Sequence, residues 1–301
     1  MGEILVGTCS WTDPSLVSSG WYPPGARTAE GRLRHYASRF PLVEADTTYY
    51  ALPGAERSRQ WAERTPPGFA FDVKAHALMT GHPAAARGLP GGLRPAGGGE
   101  RRVALRDLGP GGEAAVWRAF LGGVGPLREA GKLGAVLLQF PPWFGPGGGG
   151  AARLARCREL AGGAPLAVEF RNAGWLTGGE LGRTTGLLRE LGMALVAVDT
   201  AQGMPTSVPP VAEATCGELA VVRLHGRSPA WGSGSKEDRF RHRYSPAELA
   251  PWAARARRLA ERAARVHVLV NTCCADAAVR AAGLMADLLP EAVPAPARPA
   301  G

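Results

Sequence analysis

Apolar residues in this chain gather into eight short runs, separated by stretches of helical spacing or by long loops. The runs are EILVGTC (3–9), PLVEADTTY (41–49), FAFDVKA (69–75), GAVLLQF (134–140), LAVEFR (166–171), ALVAVDT (194–200), LAVVRLHG (219–226) and VHVLVNT (266–272). Most are nearly continuous in Val, Leu and Phe, as a strand covered on both faces requires. Between several of them the apolar period becomes that of a helix. Residues 31–40 place Leu33, Tyr36, Ala37 and Phe40 on one face, and residues 179–192 do so with Leu181, Leu187, Leu188 and Leu191. The segment 245–266 opens with Ser245, Pro246 and Glu248, a capping box with proline in the first turn. Residues 275–289 read as a closing helix.

Eight strands alternating with helices predict an α/β fold, a single TIM-type (β/α)8 barrel over residues 1–289. An open doubly wound sheet is the alternative. No GxGxxG follows the first run and no GxxxxGK[ST] occurs, so the chain carries no nucleotide-cofactor motif. Residues 81–112, rich in Gly, Pro and Arg, read as a flexible insertion between strands three and four. GPGGGG (145–150) reads as a flexible loop, and residues 290–301 as a disordered tail.

Charges interrupt the apolar runs at their C-terminal ends. Glu169 and Arg171 flank Phe170, and a strand's period of two points them the same way. Glu44 with Asp46, Asp72 with Lys74, and Arg223 with His225 repeat the arrangement, while Gln139, Asp199 and Asn271 end three more runs. An unpaired buried charge is costly enough to demand a partner. In a parallel barrel the outward face packs under helices, so the polar residues are expected to point inward at the C-terminal mouth, where barrel enzymes place their active sites. Asp72 sits deeper and reads as structural.

Charge and cysteine content narrow the class. The formal net charge is +9 and the pI about 9.9, a balance that draws anions. The arginines are dispersed, with no basic stripe interleaved with aromatics, so a nucleic-acid partner is only weakly supported. Lysine occurs three times, at Lys74, Lys132 and Lys236. Where arginine serves for surface charge, a strand-end lysine points to an amine used as base or nucleophile. Five cysteines form no disulfide or zinc spacing, and Cys273 and Cys274 are adjacent. Neither a signal peptide nor a membrane span is legible. The expectation is a cytoplasmic monomer acting on a small molecule, without membrane contact.

The stretches GTCSW (7–11), WYP (21–23), LVEADTTYYALP (42–53), FAFDVKA (69–75), KLGAVLLQFPP (132–142), AVEFRNAGW (167–175), VRLHG (222–226) and YSPAELAPW (244–252) resemble the YecE-like domain-of-unknown-function family, DUF72. The likeness runs from residue 3 to residue 289 and implies a TIM-type barrel; it implies no particular chemistry. Members of that family often read FNN at the eighth strand end, where this chain has Val270, Asn271 and Thr272, so only the first amide is matched.

The leading expectation is an enzyme acting by acid/base chemistry on a small polar or anionic substrate. Glu44, Lys74, Glu169 and His225 are its catalytic candidates. Trp11, Asp46, Tyr49, Gln139, Arg171, Trp175, Asp199, Arg223 and Asn271 are its binding candidates, with arginine gripping phosphate or carboxylate. A metal-dependent hydrolase or isomerase, including phosphodiester cleavage, is the alternative, with Glu169, Asp199 and His225 as ligands. A divalent metal is not favoured, because Arg171 and Arg223 share faces with those ligands. A non-catalytic ligand-binding barrel is the third reading.

Overall fold

In a computed structural model, which describes residues 1–95, 101–272 and 274–295, the eight apolar runs form the strands of a closed parallel barrel. The strands are β1 (Glu3–Thr8), β2 (Leu42–Ala45), β3 (Ala70–Lys74), β4 (Leu133–Gln139), β5 (Leu166–Glu169), β6 (Ala194–Asp199), β7 (Leu219–Leu224) and β8 (Arg265–Val270). Each pairs with its sequence neighbours, and β8 closes on β1. The fold is thus the α/β TIM-type barrel that the strand count predicts, and the open sheet is excluded.

Register fixes which residues face inward. Residues opposite one another on adjacent parallel strands point to the same side of the sheet. Glu44 stands opposite Asp72, Gln139 opposite Glu169, and Val198 opposite Arg223. All six face the barrel interior. Asp199 stands opposite Leu224 and therefore faces the helices, contrary to its expected place in the mouth. The outer faces carry Val43, Phe71, Leu138, Val168 and Phe170, all buried under the helical layer.

Helices form where the periodicity placed them, at Ala29–Ala37, Glu180–Glu190, Pro246–Ala260 and Ala277–Leu288. The capping box is made: Ser245 Oγ accepts from the Glu248 N–H, and the Glu248 carboxylate accepts from the Ser245 N–H. The glycine run 145–150 behaves differently from its reading as a loop. Gly148 to Gly150 open the helix Gly148–Leu160. A Cβ at Gly150 would stand 2.7 Å from the Trp175 ring, so glycine lets that first turn lie against the indole.

The described part of 81–112 contains an antiparallel pair of two-residue strands, Ala84–Ala85 with Arg102–Val103. Ala84, Ala86, Leu89 and Val103 are buried. The expected flexibility at residues 96–100, and Cys273, lie outside the described residues. Residues 290–293 of the expected disordered tail are tied down: the Val293 N–H donates to the Ile4 carbonyl at 2.8 Å, and Glu291 pairs with Arg257 at 2.6 Å. Residues 296–301 lie outside the described residues. No helix of the described residues is long and apolar enough to cross a membrane.

Low in the barrel, Asp72 accepts from His267 Nδ1 at 2.9 and 3.0 Å, with both side chains buried. Gly134 makes room for this pair, since a Cβ there would stand 2.6 Å from Asp72 Oδ1 and 2.7 Å from His267 Cε1. Forcing extra volume into a packed interior costs about 1–3 kcal/mol. Gly134→Ala is therefore expected to lower the urea midpoint by a corresponding amount with the m-value unchanged; an unaltered midpoint would show that the pair has slack.

Candidate functional site

The C-terminal end of the barrel is built around Arg223. Its Nε and Nη2 donate to both oxygens of Glu44, at 2.9 and 2.8 Å, in a bidentate pair. Its Nη1 donates to Glu169 Oε2 and also approaches Gln139 Oε1 at 3.3 Å. The three charged side chains are almost fully buried, Arg223 at 1% exposure and both glutamates at 0%. Cys9 adds an Sγ–H donor to Glu44 at 3.3 Å. Burial raises the Glu44 carboxyl above its ordinary value against the opposing pull of Arg223. Burial also raises the Cys9 thiol well above its ordinary value.

Glu169 is the shared anion. Its Oε1 lies 2.5 Å from Arg171 Nε, a charge contact without hydrogen-bond alignment, and 3.1 Å from His225 Nε2. Burial pushes its carboxyl up, but Arg171 and Arg223 outweigh that and hold it well below the carboxylate range. His225 is buried, and its Nδ1 lies 2.9 Å from Asn271 Nδ2. That arrangement suits a neutral imidazole whose Nε2–H donates to Glu169 and whose Nδ1 accepts from Asn271. Burial lowers the His225 imidazole to about 3, overcoming the raising effect of Glu169.

Above this layer opens a cavity of about 350 Å³. Asp46, Tyr49, Lys74, Gln139, Arg171, Arg223 and Asn271 line it, bringing together residues of five strand ends and the turn after β2. Arg171 leans over the Trp231 ring at 5.4 Å and approaches Gln139 Oε1 at 3.4 Å. Lys74 Nζ lies 4.7 Å above the Tyr49 ring, and no acceptor among the described residues takes a hydrogen bond from it. Burial lowers the Lys74 amine from its ordinary value, and Arg223 lowers it further. Tyr49 begins an aromatic wall that continues through His82 to Trp143, with rings 5.5 and 5.6 Å apart.

Three expected binding residues lie elsewhere. Trp11 packs edge-on against Trp61 and Phe71 on the helix side of the barrel. Trp175 stacks on Phe170 at 4.5 Å and donates its indole N–H to the Phe144 carbonyl, also on the outer side. Asp199 accepts from Tyr244 Oη at 2.7 Å and from Arg227 Nε at 2.9 Å. With Asp199 outside the barrel and Glu169 and His225 inside, the alternative metal set does not converge. Glu44, Glu169 and His225 form the layer beneath the cavity rather than its lining.

Sequence reasoning passed over Cys9, Asp13, Arg239 and Phe240, which also line the cavity. Cys9 continues the inward parity of β1, a signal available from period two alone. Asp13 caps the short helix Pro14–Ser18 through the Ser15 N–H, and a cap of this kind carries no mark of facing a cavity.

The neutral imidazole makes a pH prediction. His225 titrates lower in the folded chain than in the unfolded one, so between about pH 6.5 and 3 the unfolded chain binds more protons. Stability from this group is complete above that window and falls as pH falls through it. His76 and His82, lowered by burial to about 4, act in the same direction. His225→Gln is expected to be less stable at neutral pH but to lose stability less steeply between pH 6 and 4, by about 1.4 kcal/mol per pH unit. Urea unfolding at a series of pH values reads the slope; an unchanged slope would mean that His225 is protonated in the folded chain.

The chain's likenesses agree with its architecture. A family model described as "Protein of unknown function DUF72" matches residues 5–300. The UPF0759 protein YunF of Bacillus subtilis (strain 168) is 31% identical over 274 residues, covering 89% of this chain and 88% of that protein. A crystal structure of a DUF72 family protein from Enterococcus faecalis V583 superposes with a TM-score of 0.76 at 26% identity, covering 96% of this chain and 98% of the other. One from Thermotoga maritima MSB8 gives 0.77 at 26% identity, covering 96% and 99%. The chain, with its closed eight-stranded barrel and charged mouth, belongs to the DUF72 family.

Proposed function

We propose that the barrel mouth is an active site for a small organic anion, with Arg171 as its anchor and Lys74 as the group that exchanges protons with it. The supporting observation is the division of partners at the mouth. Glu44 and Glu169 are both committed to arginine, whereas Lys74 faces the cavity with no carboxylate hydrogen-bonded to it. Arg171 and Arg239 add positive charge to the same lining. A phosphate or carboxylate entering here can meet Arg171, Arg239 and Lys74 in a partly desolvated site, where charge-assisted hydrogen bonds are strong, while Asp13 and Asp46 of the same lining restrict where it sits.

In this reading the two glutamates and His225 hold the machinery in position. Glu169, held ionised and engaged by both oxygens, is a poor proton donor; its work is to fix Arg171 and Arg223. The neutral His225 fixes Glu169 on one side and Asn271 on the other. Lys74 has the properties of a general base: access to the cavity, no hydrogen-bonded acceptor among the described residues and an amine that burial lowers from its ordinary value.

Thermal unfolding with inorganic phosphate, pyruvate and citrate tests the anion site. A ligand at about a hundred times its Kd stabilises by about 2.7 kcal/mol, so at least one should raise the Tm measurably. The rise is expected to vanish in Arg171→Gln and to shrink in Lys74→Met. Metabolite profiling of a cell extract treated with the wild-type chain and with Lys74→Met tests turnover. No Tm shift with any of the three anions would overturn the anion site, and identical profiles would reduce it to ligand binding.

A further inference from the structure

We propose that Lys74 is a nucleophile which forms an imine with the carbonyl carbon of a small carbonyl compound bearing one anionic group. This rests on the anion-binding reading of the mouth and assigns the substrate class and covalent step.

The inference comes from comparing two lysines of one chain. Lys132 is buried, and its Nζ donates to the Ala62 carbonyl at 2.6 Å, the Thr65 carbonyl at 2.6 Å and Thr65 Oγ1 at 3.0 Å. Three acceptors match the three protons of an ammonium, so the protons of Lys132 are all engaged even though burial lowers this amine too. Lys74 is half-buried and has no such set among the described residues; its Nζ rests on the face of Tyr49. The two buried carboxylates beneath it, Glu44 and Glu169, direct their oxygens to Arg223, Arg171, Cys9 and His225. A lysine amine that lacks an acceptor and sits beside other cations is the arrangement that makes lysine nucleophilic.

The remaining lining suits the rest of such a substrate. Arg171 and Arg239 present guanidinium groups to the same cavity, giving a carboxylate or phosphate somewhere to bind while the carbonyl carbon meets Nζ. The space of about 350 Å³ lies at the small end of ligand pockets and admits a compact metabolite. In the step itself, the Nζ lone pair attacks the carbonyl carbon and the C–N bond forms. The C=O π pair moves to oxygen, which takes a proton from Nζ to give a carbinolamine. That hydroxyl takes a second proton from solvent water and leaves as water while the nitrogen lone pair closes the C=N bond, giving the protonated imine and returning hydroxide to solvent. Nothing is oxidised or reduced.

Borohydride trapping tests this on the full chain. The protein is incubated with pyruvate in one arm and with glycolaldehyde phosphate in another, reduced with sodium borohydride, digested and mapped by mass spectrometry. With lysine only at positions 74, 132 and 236, each site is read separately. A substrate held at the anion site brings its carbonyl carbon to Lys74, so Lys74 is expected to carry several-fold more adduct than either other lysine. One arm labelled and the other not would assign the anionic group as carboxylate or phosphate. Lys74→Arg should abolish the adduct with the other two sites unchanged. Equal labelling at Lys74 and Lys236, or no Lys74 adduct in either arm, would overturn the proposal. A Tm rise with pyruvate but no adduct would do so while leaving the anion site standing; no Tm rise and no adduct would remove both.

Discussion

Arg223 reaches from β7 into the barrel interior and closes on Glu44 of β2 and Glu169 of β5, two strands that are not its neighbours. Through Glu169 that contact also sets Arg171 and His225. Arg223 and the two glutamates are out of water, where removing one partner of an ion pair costs about 3–5 kcal/mol because the other is left uncompensated. Each charge therefore requires the others. A buried ion cluster is also a poor source of net stability compared with apolar packing of the same volume. What the cluster supplies here is position: it ties three strand ends together and sets the guanidinium plane beneath the cavity.

The consequences spread outward from Glu169. One oxygen serves Arg223, and the other faces Arg171 and His225. Arg171 is thereby turned toward the cavity and against Trp231, and the imidazole of His225 is set to accept from Asn271. With Glu44 and Glu169 committed to arginine, the Lys74 amine in the cavity lining rests on an aromatic ring, among Arg171 and Arg239 on one hand and Asp13 and Asp46 on the other. The proposed division of labour, with buried groups that position and a cavity-facing Lys74 that reacts, rests on which carboxylates the arginines engage.

Much of this was legible in the sequence, for a definite reason. Charged pairs two apart, such as Glu169 with Arg171 or Arg223 with His225, announce the phase of a strand, and phase decides which side faces inward. Asp199 carries no such partner. It ends the run Ala194–Val198, which is apolar on both faces, so only the register against β7 reveals that it points outward. Trp11 and Trp175 follow strand ends just as Tyr49 does, but their rings turn back onto Phe71 and Phe170, contacts made by residues distant in sequence. Gly150 misled for a related reason: glycine-rich sequence suggests a loop, whereas here its missing side chain admits the Trp175 ring. The barrel was readable because hydrophobic alternation is local. The cluster's pairings were not, since they join residues such as Glu44 and Arg223 across 179 positions of chain.

The central claim is that Lys74 is a cavity amine to which, among the described residues, no carboxylate is hydrogen-bonded, because Arg223 engages Glu44 and Glu169. Side-chain NMR of the chain labelled with 13C,15N-lysine measures this directly, because three lysines give three resolvable titrations. Lys74 is expected to titrate below the ordinary lysine value of 10.5. A Lys74 resonance that titrates at or above that ordinary value would contradict the account, because it would mean that a carboxylate of the cluster neutralises the amine after all.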